Sequence, residues 1–200
     1  MHSDVTPPLW AEALLKLVVA RKDRDSVSGD LLEAYRDSVA PARGRQAADT
    51  WYVREVAGFA WRATWPWALL FSGAFLVRNA VDWLVPTTDF AVRSAVSTYV
   101  GIGTLLLTGF CAAWRSESAI AGLLVTMLTT MIAACFSVVG STLLLAILHS
   151  PSVERNIAGS GGIAEGYVLP FMMIVPATIL GTVSGVAGWA VRSRVARPRA

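Results

Sequence analysis

Arg78, Asn79 and Asp82 are the strongly polar side chains that lie deepest in an apolar stretch of this sequence. Arg78 and Asp82 are four residues apart, which places them on one face of a helix. Ionisable groups inside a bilayer are costly and often mark a site for an ion, a ligand or a partner. A structural ion pair, or an arginine whose stem reaches toward the headgroups, explains the same residues. The cluster therefore predicts an intramembrane polar site whose role stays open.

Other residues with reactive side chains are too sparse to predict catalysis. His2 and His149 have no further ligands at metal spacing, and Cys111 and Cys135 form no CxxC motif. The glycine-rich segment 159–162 lacks the Gly-Lys-Ser/Thr ending of a phosphate-binding loop, so we expect a flexible outer loop there. No Ser/His/Asp or Cys/His set is recognisable. We therefore expect no catalytic residue, no metal, no cofactor and no enzymatic activity.

Four long apolar stretches carry this polar cluster and dominate the last two-thirds of the chain. About 20 apolar residues at 1.5 Å per residue cross a hydrocarbon core of ~30 Å as one helix. We therefore predict an all-α, polytopic membrane protein in which a four-helix bundle occupies residues 64–191. A small helical module, residues 1–63, precedes the bundle, and a basic tail, residues 192–200, follows it. The predicted transmembrane helices cover residues 65–85, 95–114, 119–148 and 167–191.

The distribution of charge predicts an orientation. Residues 1–63 contain nine basic and nine acidic side chains, and residues 192–200 add four arginines. The positive-inside rule then places both termini in the cytoplasm, in agreement with an even number of spans. This topology suits a multi-pass protein of a bacterial cytoplasmic (inner) membrane. Because the module is nearly neutral, the basic isoelectric point gives no support for a nucleic-acid partner.

Small residues in the last two spans predict close helix approach. One stripe has residues four apart on a helix face, and a GxxxG motif lies in the last span. These residues could pack within the bundle, or they could form the face of a homo-oligomer. We expect Gly140 to bend the long third span, and Pro170 and Pro176 to kink the fourth. The predicted helix-packing residues are Ala133, Ser137, Ser141, Gly181 and Gly185.

The N-terminal module is predicted to contain three short amphipathic helices. The first begins after Pro7-Pro8, where proline suits a first helical turn. Residues 21–25 are expected to form a charged turn before a second helix over 27–39. Pro41 and Gly44 should end that helix. The third is expected to begin near Arg45 and to continue almost unbroken toward the first span.

Several motifs of the module, in order, resemble those of the permease prefix domain. They are Pro7-Pro8-Leu9, Asp23-Arg24-Asp25, the run GDLLEAYR from Gly29 and the run WYVREV from Trp51. That domain is the helical module ahead of the first membrane helix in duplicated orphan permeases of the macrolide-exporter type, and it also occurs in short PadR-associated membrane proteins. The resemblance covers about the first 60 residues. It implies a cytoplasmic helix bundle on a membrane anchor, but no transport activity, because the chain has no room for a second permease half.

The resemblance and the missing catalytic set predict an interaction protein. Such a protein would dock a cytoplasmic regulator or a permease subunit, with lipid bilayer around its spans. The residues that could contact the partner are Asp30, Glu33, Tyr35, Trp51 and Tyr52, although core packing or interfacial anchoring explains them too. The alternative is a small oligomeric transporter or channel that uses the region of Arg78 and Asp82. An anti-sigma-like membrane regulator is a third, more remote hypothesis.

Overall fold

The computed structural model describes residues 6–85, 89–148, 150–159 and 163–195. These residues are almost entirely helical, and none of them forms a β-strand, so the all-α prediction is confirmed. The helices are α1 (Leu9–Val18), α2 (Arg21–Glu33), α3 (Ala40–Arg43), α4 (Arg45–Leu84), α5 (Phe90–Ser116), α6 (Ala119–Ile147), α7 (Pro151–Gly159), α8 (Ala164–Tyr167), α9 (Leu169–Met172) and α10 (Ile174–Val195). A π-helical segment, Ala34–Val39, joins α2 to α3.

The N-terminal module has its own small core. Ala11 and Leu15 of α1 are buried with Tyr35 of the π-helical segment and with Tyr52 and Val56 of α4. The prediction of a charged turn over residues 21–25 is wrong, because α2 already begins at Arg21. The chain turns two residues earlier, and the charged residues form the first turns of the helix.

Helix α4 joins the module to the bundle without a break. It has 40 residues, about 60 Å of helix at 1.5 Å per residue, and it starts after Gly44, whose φ of 79° suits glycine. Pro66 lies inside α4, about 20 residues after the helix begins at Arg45 and just after residue 65, where the first predicted span begins. Proline has no N–H, so the carbonyl of Arg62 lacks its usual intrahelical donor at this point.

Among the residues that the structure describes, three helical segments are long and apolar enough to span a membrane: Ala91–Ser116, Ala119–Ile147 and Leu169–Val195. They match the second, third and fourth predicted spans. The first predicted span, residues 65–85, is not among them. Its hydropathy is lowered by Trp67 and by Arg78, Asn79 and Asp82. The structure therefore supports a multi-pass membrane protein with three such segments.

Helix α10 crosses α5 and α6 with almost no side chain between the backbones. A Cβ atom on Gly122 would lie 2.5 Å from the Cα atom of Gly185, and one on Gly181 would lie 2.7 Å from Cβ of Thr126. The face that carries the GxxxG motif is thus buried within one chain and is not open to a second copy. Helix α6 runs through Gly140 as one continuous helix.

The end of the bundle farthest from the module, here called the distal end, is covered by short helices. We expected residues 149–166 to form an outer loop, but residues 151–159 form α7. Val153 and Ile157 of α7 are buried against Trp83. Residues 160–162, most of the glycine-rich segment, lie outside the described residues. Pro170 and Pro176 occupy the first turns of α9 and α10, where the last predicted span divides into separate segments.

Candidate functional site

The polar cluster predicted around Arg78 is part of a larger network of ion pairs at the distal end. Nε of Arg78 donates to Oδ2 of Asp82 at 3.2 Å, and Nη2 of Arg78 donates to both Glu165 oxygens at 3.1 and 3.0 Å. Nη1 of Arg93 donates to Oδ1 of Asp82 at 3.2 Å. Asp82 therefore accepts from two arginines, while its side chain is only 2% exposed. We call these four residues, Arg78, Asp82, Arg93 and Glu165, the distal network.

Three separate helices position the distal network. The helical repeat of α4 stacks Arg78 over Asp82, as the sequence predicts. Arg93 lies in the first turn of α5, where the side chain of Asp89 caps the helix by accepting from the amide of Val92 at 3.3 Å. Nη1 of Arg93 also donates to the carbonyl oxygen of Val85 at 2.8 Å. Glu165 is brought in by α8, 87 residues further along the chain than Arg78.

Asn79, the third residue of the predicted cluster, lies beside the distal network but is not one of the side chains that its ion pairs join. Its side chain is buried where α4, α6 and α8 meet. A Cβ atom on Gly166 would lie 2.9 Å from Oγ of Ser141 and 3.7 Å from Nδ2 of Asn79, so glycine allows α8 to approach. The Ser141 hydroxyl is buried without a hydrogen-bond partner among the described residues. This polar pocket is therefore tightly filled.

Spacing in the sequence predicts only half of the distal network. Arg78 and Asp82 are recognisable because they are four residues apart inside one apolar stretch. Arg93 and Glu165 instead resemble ordinary charges of connecting loops, and only the folded chain brings them to Asp82 and Arg78. Two guanidinium groups face two carboxylates, so the formal charges cancel. Such mutual pairing is what allows charged groups to remain buried.

The residues predicted to contact a partner divide into a core pair and a surface set. Tyr35 and Tyr52 are both buried and meet edge to face, with ring centroids 5.9 Å apart. Neither tyrosine can contact a partner unless the module core opens. Asp30 and Glu33 are exposed on α2, and Trp51 is partly buried on α4.

A shallow groove on the module carries Trp51 in its lining. The groove has a volume of about 530 Å³ and lies along α3 and the first turns of α4. Its charged side chains are the exposed Arg43 and Arg54, of which Arg54 approaches Glu55 at 3.7 Å. Trp51 is thus the one partner-contact candidate that combines an aromatic surface with neighbouring cations. The complete lining is Arg43, Gln46, Ala47, Thr50, Trp51 and Arg54.

The hydroxyl of Tyr35 ties the module together and gives it a pH dependence. It donates to Oδ1 of Asp49 at 2.6 Å and lies 3.3 Å from the carbonyl oxygen of Thr6. Burial, followed by the hydrogen bond to Asp49 and the charge of Asp49, raises the pKa of Tyr35 to about 12. Burial also raises the pKa of Tyr52. Both tyrosines are therefore held in their neutral form.

Replacement of Tyr35 by phenylalanine should destabilise the module by about 1–2 kcal/mol at neutral pH, because Asp49 loses a short hydrogen bond. The folded pKa of about 12 exceeds the ordinary value of 10, so the stabilisation is complete below pH 10 and is lost as pH rises through about 12. Thermal unfolding of the full chain and of Tyr35→Phe across this range measures the difference. Tyr99→Phe, on the exposed surface of α5, is the control and should have no such effect. Equal stability of Tyr35→Phe and the unmodified chain at neutral pH would contradict the prediction.

The predicted helix-packing residues all lie inside the bundle. Ala133, Ser137 and Ser141 form the buried stripe of α6. Gly181 and Gly185 are buried on α10. Ala133 packs in one core cluster with Phe71 of α4 and other apolar residues. Of the two explanations that the sequence leaves open for these residues, the structure places all five in contacts within one chain.

No family model, no curated protein and no solved structure matches this chain. The resemblance of the first 60 residues to the permease prefix domain therefore stays a prediction from the sequence. A function must be inferred from the contacts, charges and exposed surfaces described above.

Proposed function

We propose that the chain is a non-enzymatic membrane protein whose module docks a soluble cytoplasmic partner, such as a regulator or a permease subunit. In this proposal α4 supplies a fourth span, because its C-terminal half packs beside α5 and α6 along the bundle. Both termini lie in the cytoplasm of a bacterium, and the spans cross its inner membrane. A contact between Arg192 of α10 and Glu117 supports this orientation, since Glu117 also binds Arg21 of the module.

The observation that carries the proposal is an exposed apolar pair on the module. Leu9 is 78% exposed and Trp10 is 61% exposed, although Ala11 and Leu15 bury the opposite face of the same helix. Leu17 and Val18, at the C-terminal end of α1, line the same cavity as Ala63 at the start of the bundle. The N-terminal end of α1 lies near Asp49, because the Tyr35 hydroxyl contacts both Asp49 and the carbonyl oxygen of Thr6, just before α1 begins. Asp49 precedes Ala63 by 14 residues, about 21 Å along α4, so the bilayer cannot cover Leu9 and Trp10.

Aromatic side chains of this kind are frequent anchors of protein interfaces, whereas charged side chains dominate surfaces that stay in water. The neutral charge balance of the module argues against an anionic polymer as the partner. Exposed Leu9 and Trp10 on α1, together with the Trp51 groove on α3 and α4, suit a folded protein with an apolar pocket. The docking of a regulator or permease subunit is therefore a better explanation than enzymatic chemistry.

Replacement of Leu9 and Trp10 by serine should abolish partner capture and leave the fold intact. Loss of a tryptophan anchor costs about 2 kcal/mol of binding free energy or more, which is a roughly 30-fold loss of affinity. Crosslinking in cells, followed by purification in detergent and mass spectrometry, measures the partner. The control pair Asp23→Ser and Asp25→Ser changes exposed residues of α2 and should retain it. Recovery of the unmodified chain alone, or an undiminished yield with the serine pair, would refute the proposal.

The alternative of a small transporter or channel draws its support from the distal network. Each arginine there has a carboxylate partner, and each carboxylate has an arginine. A carrier site for an ion needs charge that can be released to the ion, and here that charge is already neutralised. The network therefore favours a structural role, in agreement with docking as the first proposal.

A further inference from the structure

Four arginines surround the short turn that joins α5 to α6, at the end of the bundle next to the module. Nη1 of Arg21 donates to Oε2 of Glu117 at 2.8 Å, and Nε of Arg192 donates to Oε1 of Glu117 at 3.2 Å. Nη2 of Arg24 donates to the carbonyl oxygen of Ser116 at 2.9 Å. Arg115 precedes Ser116 in the same turn. The single carboxylate in these contacts is that of Glu117, beside four arginines, so the turn carries a clear excess of positive charge.

Two of these arginines retain unused hydrogen-bonding capacity. The side chain of Arg115 is exposed and makes no hydrogen bond or ion pair with any residue that the structure describes. Nε of Arg24 is buried and has no hydrogen-bond partner among those residues. A buried guanidinium N–H without an acceptor is costly, so this position favours a further anionic group nearby.

An apolar groove begins at Arg115 and lies on the outer surface of α5. It has a volume of about 410 Å³, and its walls are Phe110, Cys111, Trp114 and the stem of Arg115. The rings of Phe110 and Trp114 stack with centroids 5.9 Å apart, and the guanidinium of Arg192 lies 5.7 Å from the centroid of Trp114. The groove thus joins cations at one end to an apolar wall inside a segment long enough to span a membrane.

We propose that this junction binds an anionic phospholipid, with its phosphate on Arg115 and an acyl chain along Phe110 and Trp114. Helix α5 ends at Ser116, which in the proposed topology lies where headgroups meet the hydrocarbon region. Guanidinium groups bind phosphate through paired N–H donors, and basic pockets beside membrane helices recognise anionic headgroups. The binding does not depend on partner docking, so each proposal can fail without the other.

The charges at the junction also argue against a second copy of the chain as the occupant of the groove. In a two-fold dimer the same surface would face itself, which would bring Arg115 and Arg192 close to their own counterparts. Like charges at close range oppose such a contact. An anionic lipid instead neutralises the excess charge and fills the groove.

The test is lipid binding to the full chain, purified in detergent, stripped of lipid and observed by native mass spectrometry. Phosphatidylglycerol should bind more tightly than phosphatidylcholine of the same chain length. Arg115→Gln should weaken phosphatidylglycerol binding about fivefold, the effect of one arginine near an anionic surface. Arg115→Lys should retain most of the preference, because it keeps the charge. Arg45→Gln, at an exposed arginine of the module that lies outside the lining of the Trp51 groove, is the matched control and should bind like the unmodified chain.

Three results would overturn the proposal. The first is equal binding of the two lipids to the unmodified chain, and the second is unchanged phosphatidylglycerol binding by Arg115→Gln. The third is full competition by glycerol phosphate at the same concentration, because the acyl chain would then contribute nothing. Measured unfolding temperatures of all variants show whether a loss of binding reflects a loss of fold.

Discussion

Asp82→Ala should destabilise the folded protein by about 3–5 kcal/mol, because the buried Arg78 and the partly buried Arg93 lose a carboxylate partner at once. Asp82 accepts from Nε of Arg78 and from Nη1 of Arg93, and alanine can replace neither bond. For a chain of this size, such a change lowers the unfolding temperature by roughly 10 °C. Thermal unfolding in detergent, followed by circular dichroism, measures the shift.

Two control variants separate this effect from a general effect of lost negative charge. Glu165→Ala removes a carboxylate that is 30% exposed and that pairs with Arg78 alone, so its effect should be smaller. Asp30→Ala removes an exposed carboxylate of the module and should change stability by less than about 0.5 kcal/mol. An unfolding temperature for Asp82→Ala equal to that of Asp30→Ala would show that the distal network does not hold α4, α5 and α8 together.

Gly122→Ala should cost about 3 kcal/mol, whereas Gly103→Ala, also within the bundle, should cost nothing. A Cβ atom at residue 122 would lie 2.5 Å from Cα of Gly185 and 2.8 Å from the carbonyl oxygen of Gly109. Both contacts are with backbone atoms, one on α10 and one on α5, so both helices must move away from α6. A Cβ atom on Gly103 has no neighbour within 4 Å, and alanine is the better helix former there.

Each of the two glycine variants adds one methyl group to a helix of the bundle, so they differ only in what surrounds that methyl group. Unfolding temperatures of the two purified variants in the same detergent give the comparison directly. Gly103→Ala should match or exceed the unmodified chain. Equal stability of the two variants would mean that the helix crossing at residues 122 and 185 is looser than the structure has it.

Local sequence patterns predict much of the helical architecture. The apolar stretches predict three of the segments that the structure shows as long and apolar, and Gly44 correctly marks the break before α4. The sequence does not predict the start of α2, because its first turns are charged and carry no apolar pattern. Arg21 and Arg24 in these turns instead donate hydrogen bonds to Glu117 and Ser116 of the bundle. Helix α7 is missed because only Val153 and Ile157 are buried, and their partner Trp83 is distant in sequence.

The candidate site is less predictable than the helices for the same physical reason. A repeat of four residues shows that Arg78 and Asp82 share a face. No local rule connects Asp82 to Arg93 across a turn, or Arg78 to Glu165 over 87 residues. Burial likewise separates Tyr35 and Tyr52 from Trp51, although all three look like interface aromatics in the sequence.

The uninterrupted course of α4 has a mechanical consequence. One continuous helix of 40 residues extends from the module through Asp82, so a tilt of one end is transmitted to the other. When bilayer thickness changes, spans respond by tilting. A tilt of α4 would swing the module through an arc, with Pro66, near the boundary of module and bundle, as the most compliant point of the helix. With α4 as the proposed fourth span, Leu9 and Trp10 would move with the module, and the thickness of the bilayer would set their distance from the membrane.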